Sequence, residues 1–253
     1  MTNIILSGSN GRMGQAISRL AEEADNCRIV CGFDINTKQL NDYPVYDNYN
    51  DFDGSADVII DFSNPANFER LMAYATEKKL PVVVCTTGLS KEQISLLGET
   101  SKQIPIFYSA NMSLGVNLII ELASRAAKLL EGSFDIEIIE KHHNQKLDAP
   151  SGTALAIADA ISESLENTPE YIYDRHSVRK KREPNEIGIH AVRGGTIVGE
   201  HSVIFAGNNE VIELNHSATS REVFAVGAIR AGIFLANKPA GMYSMKDLVN
   251  EMA

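Results

Sequence analysis

Short apolar runs alternate with amphipathic stretches along residues 1–112. Each run is bounded by glycine or polar residues, as buried strands are, and the stretches between them place apolar residues at helical spacing. Strands are predicted at residues 3–7, 28–33, 56–61, 81–85 and 104–108. Helices are predicted at residues 15–24 and 65–79, and a third begins at Ser90. This alternation predicts an α/β fold with an N-terminal Rossmann-type, doubly wound parallel sheet.

The pattern changes after Asn111. A helix is predicted over residues 114–130, and the strands that follow alternate apolar and polar residues, at 135–141, 186–193, 200–206 and 210–215. Gly207, Asn208 and Asn209 predict a turn between the last two strands. We therefore expect a C-terminal α+β domain with a mixed or antiparallel sheet. One face of that sheet would need a cover, which self-association commonly provides.

Residues 223–252 return to helical periodicity and are predicted to pack back on the first domain. The predicted dinucleotide-binding domain therefore comprises residues 1–112 with 223–253. Residues 113–222 are predicted to form a substrate-binding and oligomerisation domain.

The composition narrows the function classes. Of the 253 residues, 44% are hydrophobic and 22% charged, which suits a soluble protein with a sizeable core. The formal net charge of −10 argues against nucleic acid as the main partner, because phosphate binding needs a basic surface. Three cysteines lack metal-ligand spacing and are expected to be reduced: Cys27, Cys31 and Cys85. No signal peptide or membrane-spanning run is visible. We therefore expect a cytoplasmic location and no membrane partner.

A glycine turn links the first predicted strand to the first helix. In a dinucleotide-binding turn, Gly8 would permit the tight bend, Gly11 would let backbone N–H groups approach a pyrophosphate, and Gly14 would allow close helix–strand packing. Asp34 follows the second strand, twenty residues after Gly14, where a carboxylate meets the adenosine ribose. The alternative is a glycine-rich turn that binds nothing, which the acid at that spacing disfavours.

The expected cofactor is NADH, NADPH or both. Asp34 would repel a 2′-phosphate and so favours NADH, whereas Arg12 and Lys38 are cations that would tolerate NADPH. Ligands in such folds lie beyond the carboxyl ends of the strands. The cofactor-binding candidates are Gly8, Asn10, Gly11, Arg12, Met13, Asp34, Thr86, Thr87, Gly88, Ala110, Asn111 and Met112, and Phe62 and Ser63 occupy a similar position. Ordinary turn chemistry is the alternative for each strand-end segment.

The most informative segment is residues 140–154, where a predicted strand ends in two imidazoles and an ammonium. His142 and His143 should diverge, so one imidazole would donate a proton and the other would help to hold a substrate. Lys146 is close enough in the chain to lie over the same pocket. Adjacent imidazoles are poor co-ligands and no Cys or third His has suitable spacing nearby, so no metal site is expected.

A helix start follows this cluster. Asp148 is a candidate capping acid, and the N–H groups of Gly152 and Thr153, with the Thr153 hydroxyl, would bind a carboxylate. A well-capped helix without a ligand is the alternative. The basic run at residues 175–182 is predicted to be a solvated, mobile loop. Nucleic-acid binding is the alternative, which the lack of interleaved aromatic residues and the acidic chain disfavour.

Several of these segments together resemble the 4-hydroxy-tetrahydrodipicolinate reductase family, also called dihydrodipicolinate reductase. The similarity runs nearly end to end and is most specific in the histidine segment. It is carried by residues 8–14, 86–88, 110–117, 142–154, 199–201, 220–221 and 224–225.

The resemblance implies NAD(P)H-dependent reduction of a cyclic, unsaturated dicarboxylate in diaminopimelate and lysine biosynthesis. It implies that His142 is the proton donor, with Lys146 as its partner at the substrate. His143, Gly152 and Thr153 would hold a carboxylate. A homotetramer built through the C-terminal sheet is also implied.

Two positions depart from the family pattern. Ile35 stands where some relatives carry an arginine that grips the 2′-phosphate, which weakens the expectation of strong NADPH use. Met112 stands where many relatives have phenylalanine, and its apolar side chain should substitute adequately.

Two other functions remain open from the residues alone. One is a different NAD-dependent enzyme on the same scaffold, such as an amino-acid or homoserine dehydrogenase. The other is a non-catalytic protein that senses the NADH/NAD ratio, which the side-by-side His142, His143 and Lys146 disfavour.

Overall fold

Seven parallel strands form the sheet that contains the N-terminus. In the computed structural model, which describes residues 1–252, this sheet has the order β12-β6-β5-β4-β1-β2-β3. Its strands are β1 (Thr2–Ser7), β2 (Cys27–Phe33), β3 (Val45–Tyr46), β4 (Val58–Asp61), β5 (Val82–Val84), β6 (Pro105–Tyr108) and β12 (Gly241–Tyr243). The order reverses at β1, which is the Rossmann arrangement, so the predicted doubly wound sheet is confirmed.

Helices cover both faces of this sheet. They are α1 (Arg12–Glu22), α2 (Phe68–Lys78), α3 (Lys91–Thr100), α6 (Glu222–Leu235) and α7 (Met245–Met252). Ile4 and Leu6 of β1 pack towards the side that carries α1, α6 and α7, while Ile5 packs towards α2 and α3. Successive strand residues point to opposite faces, so a strand with a helical layer on each side must be apolar throughout.

The sequence pattern predicted helical structure over the last thirty residues, but a short strand interrupts it. β12 lies between α6 and α7 and pairs in parallel with β6 at the edge of the sheet. A strand of three residues is too short to show a period, and its hydrogen-bond partners come from a distant part of the chain. β3 escaped prediction for the same reason.

Five strands form a second, mixed sheet in the order β11-β10-β7-β9-β8. They are β7 (Asp135–His142), β8 (Glu170–Ile172), β9 (Glu186–Arg193), β10 (Gly199–Ala206) and β11 (Val211–Ala218). β10 is antiparallel to both β7 and β11, whereas β7, β8 and β9 are parallel. Side chains from α4 (Leu114–Leu130) and α5 (Gly152–Ser164) form one core with the sheet. The predicted mixed sheet is therefore confirmed.

The chain divides into two compact units. The first comprises residues 1–114 and the chain from Glu222 onwards, and the second comprises residues 115–221. Across residues 1–252, no helix combines the length and the apolar character needed to cross a bilayer.

The basic run at residues 175–182 is a loop that is exposed except at the half-buried Arg182, as predicted, but three of its cations are held in ion pairs. Arg175 donates to Glu186 at 2.6 Å and to Glu137 at 2.7 Å, and Lys180 lies 3.0 Å from the other oxygen of Glu186. Arg182 pairs with Asp135 and Glu137 and is only 18% exposed. These cations neutralise carboxylates on β7 and β9. Those carboxylates come to lie beside the basic run only when the sheet has formed.

This network predicts a specific acid dependence of stability. Hydrogen bonds from Arg175 and Lys180 lower the pKa of Glu186 from 4.5 to about 2. The folded state then binds this proton less readily than the unfolded state, so the contribution of Glu186 is fully present above about pH 4.5 and is lost as the pH falls towards about 2. The difference in urea midpoint between the wild type and Glu186→Gln should therefore shrink over that interval.

The control is Glu99→Gln, which alters an exposed member of another ion pair. A difference between wild type and Glu186→Gln that stays constant with pH would contradict the prediction.

Candidate functional site

The glycine turn joins β1 to α1 as predicted, and its first and last glycines are sterically required. Gly8 has a φ of +79°, and a Cβ there would lie 2.5 Å from the carbonyl oxygen of Phe62. A Cβ on Gly14 would lie 2.3 Å from the carbonyl oxygen of Gly8. No other residue could hold this turn against the sheet without moving its backbone.

The middle glycine leaves an open cradle. Gly11 is the N-cap of α1, and within the described residues no side chain caps this helix. A Cβ on Gly11 would meet only the carbonyl oxygen of Gly8, at 3.2 Å. The first backbone N–H groups of α1 lack intrahelical partners and carry the positive end of the helix dipole. This cradle therefore suits an anion such as a pyrophosphate.

Asp34 lies directly after β2 and is tied to the glycine turn. Its Oδ2 accepts a hydrogen bond from the Asn10 backbone at 3.0 Å, and its Oδ1 accepts one from Asn36 at 3.1 Å. The side-chain amide of Asn10 donates to the carbonyls of Asn36 and Lys38. Asn10 thus holds residues 34–38 beside the turn. Arg12 is exposed, and Ile35 is 99% exposed.

A cavity of about 360 Å³ opens at the carboxyl ends of β4, β5 and β6. It brings together seven of the predicted cofactor residues: Met13, Thr86, Thr87, Gly88, Ala110, Asn111 and Met112. Phe62 also lines it, as its strand-end position suggested. Cys85, Tyr108 and Phe224 were not predicted. Phe224 comes from α6, more than one hundred residues away in the chain, so no local signal could reveal it.

A buried carboxyl group supports the wall of this cavity. Thr86 donates to Oδ2 of Asp61 at 2.6 Å, and the Ser63 backbone donates to Oδ1 at 3.2 Å. Asp61 is 1% exposed, and its burial raises its pKa, although the hydrogen bonds from Ser63 and Thr86 oppose that rise. The Thr86 hydroxyl therefore points into the protein, where it anchors its loop.

In the second unit, the segment 140–154 is organised around a carboxylate. Glu140 is 0% exposed, and His142 Nδ1 lies 2.6 Å from its Oε2. Arg193 donates to both oxygens at 2.7 Å, and the Ser151 backbone donates to Oε1 at 3.0 Å. Burial alone would raise the pKa of Glu140, but the hydrogen bonds from Arg193 and His142 outweigh it and lower the pKa.

Ser151 caps α5, so the prediction that Asp148 caps this helix is wrong. The Ser151 hydroxyl accepts a hydrogen bond from the Ala154 backbone at 3.1 Å and lies 3.1 Å from His201 Nε2. The Asp148 carboxylate instead meets the Lys146 ammonium at 2.9 Å, and this pairing lowers the pKa of Asp148. Ser151 is the N-cap residue and its side chain bonds to the first turn, while the Asp148 carboxylate, three residues earlier, makes a weaker contact with the Gly152 backbone.

The N-terminus of α5 begins with Gly152 and Thr153, as predicted. A Cβ on Gly152 would have no atom within 4 Å, so the approach to this helix end is open. His143 is partly exposed, and its carbonyl accepts a hydrogen bond from the Lys146 backbone at 3.2 Å. His142, His143, Lys146, Gly152 and Thr153 therefore belong to one short segment, folded between the end of β7 and the start of α5.

Three members of this cluster were missed as site residues: Glu140, Arg193 and His201. The His201 ring lies 5.2 Å from that of His142, and burial, followed by the charge of His142, lowers its pKa to about 4. Arg193 lies opposite His142 in the parallel register of β7 and β9. That register could not be read from either strand alone. Among the described residues, no group of three or more His, Cys, Asp or Glu side chains is arranged to hold a metal ion.

Comparison with known proteins gives matches over nearly the whole chain. The family model "Dihydrodipicolinate reductase, N-terminus" matches residues 2–112, and "Dihydrodipicolinate reductase, C-terminus" matches residues 115–249. The 4-hydroxy-tetrahydrodipicolinate reductase of Caldanaerobacter subterraneus subsp. tengcongensis is 55% identical over 251 residues, which is 99% of each chain. The protein of the same name from Clostridium tetani is 52% identical over 250 residues, 99% of this chain and 98% of its own.

A solved structure is also similar over its full length. It is a dipicolinate-bound dihydrodipicolinate reductase from Paenisporosarcina sp. TG-14, with a TM-score of 0.79 and 25% identity. The alignment covers 99% of both chains.

The cavity also generates a stability prediction. A Cβ on Gly227 of α6 would lie 1.7 Å from the carbonyl oxygen of Met112, so α6 must bear glycine where it meets the cavity wall. Alanine in a helix normally gains up to about 1 kcal/mol over glycine, but a forced backbone shift costs about 1–3 kcal/mol. Gly227→Ala should therefore lower the free energy of unfolding, measured with urea.

Gly98 is the matched control, because it lies in α3 and a Cβ there would have no atom within 4 Å. Gly98→Ala should leave stability unchanged or raise it by up to about 1 kcal/mol. A Gly227→Ala protein as stable as the wild type would show that the contact does not constrain the wall.

Proposed function

The chain belongs to the dihydrodipicolinate reductase family, and we propose that it converts 4-hydroxy-tetrahydrodipicolinate to tetrahydrodipicolinate, in a reaction in which the 4-hydroxyl leaves as water and a reduced nicotinamide dinucleotide supplies the hydride. This reaction would place the protein in diaminopimelate and lysine biosynthesis. The observation that carries the proposal is the full-length match, because the same chain then holds both the strand-end cavity and the histidine segment that the reaction needs.

The residues of the first unit fit a nicotinamide dinucleotide. The Gly11 cradle, with Gly8, Asn10 and the first turn of α1 at Arg12 and Met13, would hold the pyrophosphate. Asp34 would accept a hydrogen bond from the adenosine ribose. The cavity, which is lined by residues 86–88 and 110–112, would hold the nicotinamide.

The cofactor preference that we propose is for NADH. The Asp34 carboxylate would repel a 2′-phosphate, and exposed Ile35 offers that phosphate neither a hydrogen bond nor a charge. Arg12 is exposed on the first turn of α1 and could still meet a phosphate, so NADPH use would be weaker rather than absent.

The second unit would bind the cyclic dicarboxylate. The N–H groups of Gly152 and Thr153, at the positive end of the α5 dipole, would hold one carboxylate. His143 and the Lys146 ammonium would contribute further hydrogen bonds and positive charge. Because Asp148 pairs with Lys146 in this structure, substrate binding would have to share or replace that ion pair.

When bound, the reduced nicotinamide supplies the hydride. Reduction then requires a proton for the electron density that builds up on the conjugated imine side of the ring. His142 would donate it, because its Nδ1 is engaged by Glu140 and only Nε2 is left to face a substrate. Lys146 and the α5 N-terminus would orient the dianion during this transfer.

We also propose that the protein works in the cytoplasm as a homotetramer, as the family resemblance implies. The supporting feature is the five-stranded sheet, whose edge strand β11 carries the exposed apolar residues Val211 and Ile212. Association of copies is the usual way to cover such a surface.

The proposed reaction can be tested directly through His142. Substrate generated enzymatically from aspartate semialdehyde and pyruvate should support oxidation of NADH, and pyridine-2,6-dicarboxylate should inhibit competitively. His142→Gln should lower kcat by about 10²–10⁴-fold if it removes the general acid. His176→Gln, which alters an exposed histidine in the loop before β9, is the matched control and should keep wild-type kcat.

Other results would favour the alternatives. Turnover with homoserine or amino acids, but not with this substrate, would indicate a different dehydrogenase. Dinucleotide binding without any turnover would indicate a sensor. An unchanged kcat in His142→Gln would rule out its role as proton donor.

The cofactor preference can be tested at Ile35. Ile35→Arg adds a guanidinium beside the proposed ribose site without disturbing packing, because the native side chain is 99% exposed. It should lower KM for NADPH about 10-fold, the equivalent of one charge-assisted hydrogen bond, with little effect on KM for NADH. Ile94→Arg, at a 46% exposed position on α3, controls for the added charge. If Ile35→Arg changes the KM values for NADPH and NADH by the same factors as Ile94→Arg does, residue 35 does not set the cofactor preference.

A further inference from the structure

One buried side chain at the histidine segment has no direct contact with substrate or cofactor in the proposed reaction. Glu140 is 0% exposed, yet both of its oxygens accept two hydrogen bonds each. An ionised carboxyl removed from water is retained only where its partners compensate it fully. The bidentate guanidinium of Arg193 supplies that compensation, with both N–O distances at 2.7 Å.

The Glu140–Arg193 pair contacts each part of the proposed substrate site. Oε2 of Glu140 engages His142 Nδ1, and Oε1 engages the backbone N–H of Ser151, directly before Gly152. Nη2 of Arg193 also donates to the carbonyl of Asp148 at 2.7 Å, in the loop that contains Lys146. The imidazole, the α5 N-terminus and the ammonium loop are thus joined through one ion pair.

The contact with His142 has a chemical consequence. A carboxylate without a proton can only accept, so the neutral His142 ring must carry its proton on Nδ1. Nε2 is then the nitrogen that exchanges a proton with a bound molecule. Its surroundings are kept clear by Gly199, where a Cβ would lie 3.1 Å from Nε2.

We propose that Glu140 and Arg193 are positioning residues that hold His142 in the Nδ1–H form and fix its ring relative to the N-terminus of α5. Neither residue touches the substrate. Their effect on turnover rests on the proposed function, whereas their effect on the ring does not.

The ring state can be read in the wild-type protein without any substrate. Two-bond ¹H–¹⁵N spectra at a pH where the ring is neutral should show His142 protonated on Nδ1, and Glu140→Gln should shift it towards the Nε2–H form, because the amide can donate to Nδ1. A wild-type ring that carries its neutral proton on Nε2 would overturn the proposal. Because that measurement needs no variant, the proposal stays testable if Glu140→Gln fails to fold.

Turnover gives a second, independent readout. Glu140→Gln should lower kcat about 10–100-fold, by analogy with the loss of a partner that fixes the tautomer and orientation of a metal-binding histidine. KM for NADH should stay within about twofold of the wild-type value, because residue 140 belongs to the second unit. Arg193→Lys keeps the charge but loses the fork, and it should lower kcat by a smaller factor.

A double variant separates positioning from a general structural effect. If Glu140 acts through His142, adding Glu140→Gln to His142→Gln should lower kcat no further than His142→Gln alone. An additive loss would overturn the proposal. Glu200→Gln, which alters the 37% exposed partner of Lys141 on the adjacent strand, is the control and should keep wild-type kcat. If neither the wild type nor any variant turns over the proposed substrate, the proposed function is wrong. The ring spectra still test the positioning role in that case.

Discussion

The buried carboxylate of Glu140 constrains how the elements of the second unit are arranged. Glu140 needs a donor for each lone pair, and its donors come from three places: β7 itself, β9, and the residue that caps α5. Losing one partner would leave an uncompensated charge in the core, at a cost of several kcal/mol. The strand register, the His142 ring and the start of α5 are therefore set together.

The first unit depends on close backbone approach instead of charge. Gly8 and Gly14 let α1 begin against the strand ends, and Gly227 lets α6 meet the backbone of Met112. Each position excludes even a methyl group, so the glycine turn and the cavity wall have little freedom to move. Fixed backbone N–H groups and a shaped cavity are what a dinucleotide with a long, flexible pyrophosphate link requires.

Two charged segments behave differently from what their sequence alone indicates. Asp148 looked like a helix cap, but its carboxylate pairs with Lys146 and Ser151 takes the cap. The basic run is an exposed loop, as its sequence indicates, but Arg175 and Arg182 also pair with acids from β9 and β7. Asp148 has its partner two residues away in the same loop, whereas the two arginines have theirs on strands of the second sheet, whose position depends on the fold.

Local physical rules determined much of this protein from its sequence. Apolar periodicity predicts the long helices and the buried strands, and glycine spacing with Asp34 predicts the dinucleotide turn, because these signals arise between residues close in the chain. His142 and Lys146 could also be proposed as site residues, since they lie in one segment. Only the tertiary structure could add Phe224 to the cavity and place Arg193 beside Glu140. Such contacts depend on strand order and register, which arise when the whole core packs and leave no mark in a local window of sequence.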